Sequence, residues 1–197
     1  MEGLYAIMAI DPGGSTGVAW GVFHDEAETV KETIDGKICT GQRTYEGYPR
    51  QQVYDICCLW RRLYMEWVFG LGIKPEDCHM VIEDIIVGPN TPPGKDVKIA
   101  IEIGRGIYYY RLGSAHEHER WNCGWVPPVR VSWQTPSQAS GFARKERLKD
   151  WGVWIRGKEH ERSAWKHIAL YVGRHMEARR AASRVYARVR ATRARAQ

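Results

Sequence analysis

Residues 4–10 (Leu-Tyr-Ala-Ile-Met-Ala-Ile) form a short, almost wholly apolar run. A run of that length with no polar alternation predicts a strand buried on both faces. It ends at Asp11-Pro12-Gly13-Gly14, turn residues that stop the strand and leave Asp11 at its tip. Residues 17–23 are apolar again and predict an adjacent antiparallel strand. Beyond the charged turn His24-Asp25-Glu26, a third strand is expected near Thr29–Ile38, completing a meander.

From Pro49 to Phe69 the period changes. Val53, Ile56, Trp60, Tyr64 and Trp67 recur at three- and four-residue spacing, which predicts an amphipathic helix opened by Pro49 and ended by Gly70 and Gly72. Met80-Val81-Ile82 predicts a second buried strand, terminating in Glu83-Asp84. A loop over residues 88–95, a helix over Val97–Leu112 and a polar loop over His116–Gly124 follow. Val129–Trp133 predicts a last strand closed by Pro136, with helices over Ala143–Trp151 and from Lys158 onward. The order β-β-β-α-β-α-β-α-α predicts an α/β fold, a mixed sheet with helices on its faces.

The chain has 197 residues, 44% of them hydrophobic and 26% charged, the balance of one globular domain. Its mean hydropathy of -0.47 and the lack of a long apolar run exclude a membrane span. The N-terminus shows no signal-peptide pattern. The five cysteines (Cys39, Cys57, Cys58, Cys78, Cys123) show no metal-finger spacing, so reduced thiols and a cytoplasmic location are expected. The net charge of +6 is uneven: residues 174–197 carry eight arginines against Glu177 alone, a segment charge of +7 that leaves -1 for the body. A basic arm of this kind suits a polyanion, although such a run can equally be a solvated helix face.

Two of the most apolar strands each end in a carboxylate, Asp11 and Glu83. Acids at neighbouring strand tips need a cation or a basic partner when buried. Oxygen ligands with few histidines and no paired cysteines point to Mg2+ or Mn2+. A third element is Lys158–His167, in which His160, Ser163 and His167 share one helical face. Both histidines can therefore look toward one site, although a histidine on a helix is more often a surface or core residue than a ligand, and that is the expectation for His167.

The stretches AIDPGGSTGVAWGVF, VIEDIIVG, KIAIEIGRGIYYY and GKEHERSAWKHIALYV, in that order, resemble the RuvC family of Holliday-junction resolvases, in particular those encoded by phages. The resemblance covers roughly residues 4 to 175. It implies an RNase H-like mixed five-stranded sheet flanked by helices. Residues 1–175 would form the nuclease domain and 176–197 a basic C-terminal helical arm. It also implies two Mg2+ or Mn2+ ions, a homodimer, and cleavage of branched DNA leaving 5′-phosphate and 3′-hydroxyl ends, in a bacterial host cell if the chain is phage-encoded. By position, Asp11 would bridge the metals, Glu83 would be the second acidic ligand, and His160 would open the final H/D-x-x-D motif.

The last position of that motif is Ser163 rather than Asp. Three explanations remain open: an inactivated variant, a natural junction binder that does not cut, or replacement by a nearby acid. Of the candidates Glu159, Glu161 and Asp84, Glu159 is the expected metal ligand because it sits four residues before Ser163. Lys95, Lys98, Arg105, Arg144, Lys145, Arg147, Arg179 and Arg180 are expected to contact DNA, and Tyr108, Tyr109 and Tyr110 either bury a twofold interface or are core or singly exposed.

Two rivals are weighed against this. Sugar-kinase and actin-like ATPases share a DxGxxxG loop but need two related domains, and this chain holds one copy. A non-catalytic branched-DNA binder is favoured by Ser163. His116-Glu117-His118-Glu119 is expected to be a polar loop rather than a metal site. The tryptophans at 121, 125, 133, 151, 154 and 165 are expected to be mostly core.

Overall fold

The computed structural model describes residues 3–85, 87, 94–112 and 130–195, without the side chains of 110–112 and 188–195. The element order is β1 (Leu4–Asp11), β2 (Thr16–His24), α1 (Val30–Asp35), β3 (Ile38–Tyr45), α2 (Pro49–Met65), β4 (Cys78–Glu83), α3 (Lys95–Leu112), β5 (Arg130–Gln134), α4 (Pro136–Phe142), α5 (Lys145–Asp150) and α6 (Glu159–Arg195). A single π-helical turn, Glu66–Gly70, extends α2.

The five strands form one sheet in the order β3-β2-β1-β4-β5. β1 pairs antiparallel with β2, and β2 with β3, whereas β1–β4 and β4–β5 are parallel. This is the mixed five-stranded, helix-flanked sheet that was expected.

Every residue of β1 is buried, and its alternation divides the core in two. Leu4, Ala6, Met8 and Ile10 join Met80 and Ile82 of β4 against Trp60 and Trp67 of the α2 segment and Ile103 and Ile107 of α3. Tyr5, Ile7, Ala9 and Val81 face the other way, onto Trp165, Ile168, Ala169 and Val172 of α6. On this second face α6 packs against β2, β1 and β4.

Two expectations need correction. The third strand does not lie at Thr29–Ile38. Thr29 accepts from the Glu32 amide while the Glu32 carboxylate accepts from the Thr29 amide, a reciprocal cap that makes Val30–Asp35 a helix and moves the strand to Ile38–Tyr45. Pro136 does not merely close β5. With Thr135 and Gln138 as a second capping pair, it opens α4. The non-helical backbone at Ala143 then separates α4 from α5, so the helix expected over Ala143–Trp151 is shorter and starts later.

α6 has 37 residues, on the order of 55 Å at 1.5 Å per residue. One face of it is buried against the sheet as far as Met176, and every described side chain from Glu177 to Ala187 is exposed. Cys57 and Cys78 are buried, Cys58 is half-buried and Cys39 is exposed, and none of the four is in a disulfide. Cys123, Trp121, Trp125, the loop at 88–93 and the His116–Glu119 run lie outside the described residues. No helix among the described residues is long and apolar enough to cross a membrane.

Candidate active site

β1, β4 and β5 run parallel, so their C-terminal ends share one edge of the sheet. Ile10 pairs with Ile82, and Glu83 pairs with Gln134. That register sets Asp11, Glu83 and Gln134 side by side, and ligand sites in open α/β sheets commonly lie beyond such carboxyl ends.

The turn after β1 is held from within and from the far layer. The Thr16 hydroxyl bridges the amide and carbonyl of Gly13, at 3.3 Å each. Gln52 of α2 donates to the carbonyls of Gly14 (3.1 Å) and Gly47 (3.0 Å). On the other layer, the backbone of His160 lies directly on Gly17. A Cβ at Gly17 would come within 2.1 Å of the His160 carbonyl carbon, so only glycine lets the first turn of α6 rest on β2.

That contact delivers a polar stripe of α6 to the strand ends. His160 Nδ1 lies 3.2 Å from Asp11 Oδ2. The Ser163 hydroxyl donates to Glu83 Oε2 at 3.4 Å. His167 is fully buried, with Nε2 2.7 Å from Glu83 Oε2 and Nδ1 3.1 Å from Gln134 Oε1. His167, expected as an ordinary surface or core residue, is a buried one whose ring lies on Glu83 and Gln134. Its place at i+4 from Ser163 and i+7 from His160 carried the signal. Gln134 carried none, because its position depends on strand register.

Asp11 and Glu83 are each 9% exposed. Burial pushes the Asp11 carboxyl up from its ordinary value; the hydrogen bond with His160 opposes this, and the charge of Glu83 adds to it. His160 is pushed up chiefly by its bond to Asp11, against partial burial. Two like charges at adjacent strand ends are what a cation would relieve, so the pair fits one oxygen-ligated divalent ion.

Among the described residues no second acidic site is gathered beside this pair. Glu159 lies at the rim, 84% exposed and 3.6 Å from Arg162, because its side chain leaves the helix on the solvent side. Glu161 is turned to Lys158 at 3.5 Å, and Asp84 is exposed. Among the described residues no three His, Cys, Asp or Glu side chains gather in ligating geometry. Glu159, the expected metal ligand, thus lines the same cleft as Asp11 but is not gathered with Asp11 and Glu83.

A cleft of about 550 Å³ opens beside the site, lined by Asp11, His160 and Ser163 together with Arg144, Lys145 and Lys166. Lys145 Nζ sits 5.3 Å over the Trp154 ring and Lys166 Nζ donates to the Ser140 hydroxyl at 3.3 Å. Arg162 is also at the cleft but is bound to the Ile155 carbonyl at 2.8 Å and stacked on Trp154. Lys166, three residues after Ser163, is the basic residue that sequence reasoning missed, although its spacing shows it.

The other expected DNA contacts divide. Lys95 and Lys98 are exposed in the first turn of α3, and Arg105 lines a second cleft with Glu83, Asp84 and Trp133. Arg147 is instead bound to the Phe142 carbonyl at 2.6 Å, Arg179 to Asp25 at 2.8 Å, and Arg180 to the Glu28 carbonyl. Among the described residues each of these three is already tied to an acceptor of the protein, unlike Lys95 and Lys98. Trp151 and Trp165 are buried, Trp154 half-buried and Trp133 39% exposed. Tyr109 is exposed, Tyr108 packs against Trp133 with ring centroids 6.0 Å apart, and the Tyr110 side chain lies outside the described set.

No protein-family model matches the chain, and no curated protein matches it. Solved structures similar to it include two of RuvC. RuvC of T. thermophilus in complex with a Holliday junction substrate has 11% identity and a TM-score of 0.48, over 89% of this chain and 95% of that one. A second Thermus thermophilus RuvC structure has 13% identity and a TM-score of 0.44, over 89% of this chain and 96% of that one.

Proposed function

We propose that the chain is a RuvC-type, metal-dependent endonuclease of branched DNA, four-way junctions above all, acting as a homodimer so that two opposed strands are cut. The observation that carries this reading is the placement of Asp11 and Glu83 at adjacent parallel strand ends under the first turn of α6. The ordered motifs that resemble the RuvC family fall on those same residues.

Asp11 and Glu83 would hold the cation, Mg2+ or Mn2+, which when bound lowers the pKa of water and steadies charge on the phosphoryl oxygens. His160 uses Nδ1 on Asp11, which leaves Nε2 as the ring nitrogen for orienting the attacking water. Arg144, Lys145 and Lys166 hold the phosphates of the strand along the cleft. Burial of the two carboxylates keeps bulk water from competing at their oxygens. Exposed Tyr109 on α3 would lie at the twofold interface.

A second reading has its own observation. Ser163 gives Glu83 a hydroxyl donor where the family motif has a further carboxylate, which favours a junction binder that cuts slowly or not at all. A synthetic four-way junction with Mg2+, run on a sequencing gel with the parent chain and Ser163→Asp, separates the two. Symmetric cleavage by either protein supports the nuclease, with the faster rate expected for Ser163→Asp. Tight binding with no cleavage by either replaces the enzyme with the binder, and absence of binding removes both readings.

A further inference from the structure

We infer that His167 is the positioning residue for Glu83, fixing which carboxylate oxygen is available to a bound cation. The inference rests on the nuclease reading of the acid pair and names a residue outside the motif that suggested it.

His167 lies on α6, Glu83 at the end of β4 and Gln134 at the end of β5, and the imidazole joins all three elements. Its Nε2 is 2.7 Å from Glu83 Oε2 and its Nδ1 is 3.1 Å from the Gln134 side-chain oxygen. In the cation-binding form, where Glu83 is a carboxylate, two proton arrangements satisfy these contacts. Either both ring nitrogens donate, or the Gln134 amide is turned to donate to Nδ1. In both, Nε2–H donates to Glu83, because an ionised carboxylate only accepts. The direction of the bond to Glu83 is therefore fixed whichever arrangement holds.

The Ser163 hydroxyl donates to the same oxygen, Oε2. Both bonds thus fall on Oε2, and neither uses Oε1. A glutamate has three side-chain torsions to restrain, and here two donors from α6 restrain one end of its carboxylate. His167 is in turn held by Gln134, and Gln134 by the sheet: its carbonyl accepts from the Asp84 amide at 2.8 Å and its side chain is buried. The chain of contacts β5–α6–β4 ends on a metal-ligating carboxylate, the role that outer hydrogen-bond partners play at metal sites.

The test is Mn2+ affinity, measured by electron paramagnetic resonance on parent, His167→Ala, His167→Gln and Gln134→Leu, with a long-range 1H–15N spectrum of the histidine rings and thermal unfolding recorded alongside. His167→Ala is expected to weaken Mn2+ binding about tenfold or more. His167→Gln, which keeps an N–H donor, should recover part of that loss, and Gln134→Leu should fall between. The parent should show a slowly exchanging Nε2–H resonance that shifts in Glu83→Gln and not in Asp11→Asn. A purely structural role would lower the unfolding midpoint of His167→Ala and leave the Mn2+ affinity of the folded protein unchanged, overturning the inference. So would a rapidly exchanging Nε2–H. If the parent binds no Mn2+, the metal-dependent nuclease reading fails separately, and the inferred cation-directing role of His167 fails with it even where the ring resonance is present.

Discussion

Ser163 Oγ lies 3.4 Å from Glu83 Oε2, so α6 meets the acid of β4 with a neutral donor. Ser163→Asp would replace that donor with a third carboxylate beside two buried ones. Like charges so placed destabilise the folded state until a cation or a proton intervenes. The variant should lose about 1–3 kcal/mol in EDTA and regain most of it with Mg2+. Urea unfolding of both proteins, with and without Mg2+, checks this. Equal responses to Mg2+ would mean that position 163 does not face the cation.

Gly17→Ala should be among the most damaging conservative changes. Its Cβ would meet the His160 carbonyl carbon at 2.1 Å, and helix backbone cannot swing aside as a side chain does. The expected cost is about 3 kcal/mol, with loss of the His160–Asp11 contact. Gly173→Ala meets the half-buried Phe142 ring at 2.5 Å, which can rotate, and should cost about 1 kcal/mol. Chemical denaturation ranks the two, and equal costs would show that α6 shifts freely on β2.

Much of this architecture is legible in the pattern of residues, and the exceptions have local causes. β1 is readable because seven apolar residues in succession fit little besides a strand buried on both faces. Asp11 and Glu83 are readable because charges at the ends of such strands are conspicuous. His160 and Ser163 are readable only through the resemblance, since one helical face carries many polar residues. The strand misplaced at Thr29–Ile38 reflects two short capping residues, Thr29 and Glu32, outweighing the β-branched residues around them. Gln134 and its hold on His167 depend on how β5 registers against β4, and no local pattern encodes that. The ties of Arg179 and Arg180 to the β2–α1 loop are hidden for the same reason: their partners, Asp25 and Glu28, are more than 150 positions away.

Stability should fall in mild acid through His79. This residue is 5% exposed on β4 with its ring 5.0 Å from that of Tyr171, and burial pushes its pKa down from 6.5 to about 4, helped by the charges of His175 and Arg130. A depressed value means that the unfolded chain takes up the proton first. The contribution is therefore intact above about pH 6.5 and lost as pH falls towards 4, by at most about 3 kcal/mol. Urea midpoints of the parent and His79→Phe between pH 7.5 and pH 4 measure it, and the difference between the two should change across this window. A constant difference would place His79 in contact with water.

The basic residues should separate by salt dependence. Lys145 and Lys166 line the cleft with no carboxylate partner among the described residues, whereas Arg147 is bound to the Phe142 carbonyl and stacked on that ring. A side chain that neutralises a phosphate releases counterions, and its removal lowers the slope of log affinity against log salt by about one. Lys145→Ala and Lys166→Ala should each do so with a labelled four-way junction followed by fluorescence anisotropy. Arg147→Ala should leave the slope unchanged and lower stability instead, because it uncaps a carbonyl at the end of α4. The arm divides in the same way. Arg179, held by Asp25 at 2.8 Å, should behave like Arg147, and Arg184, exposed one turn further along α6, like the lysines. If Arg179→Ala flattens the slope as much as Lys166→Ala, then DNA draws Arg179 off Asp25, and the first turn of the arm belongs to the DNA contact rather than to the fold.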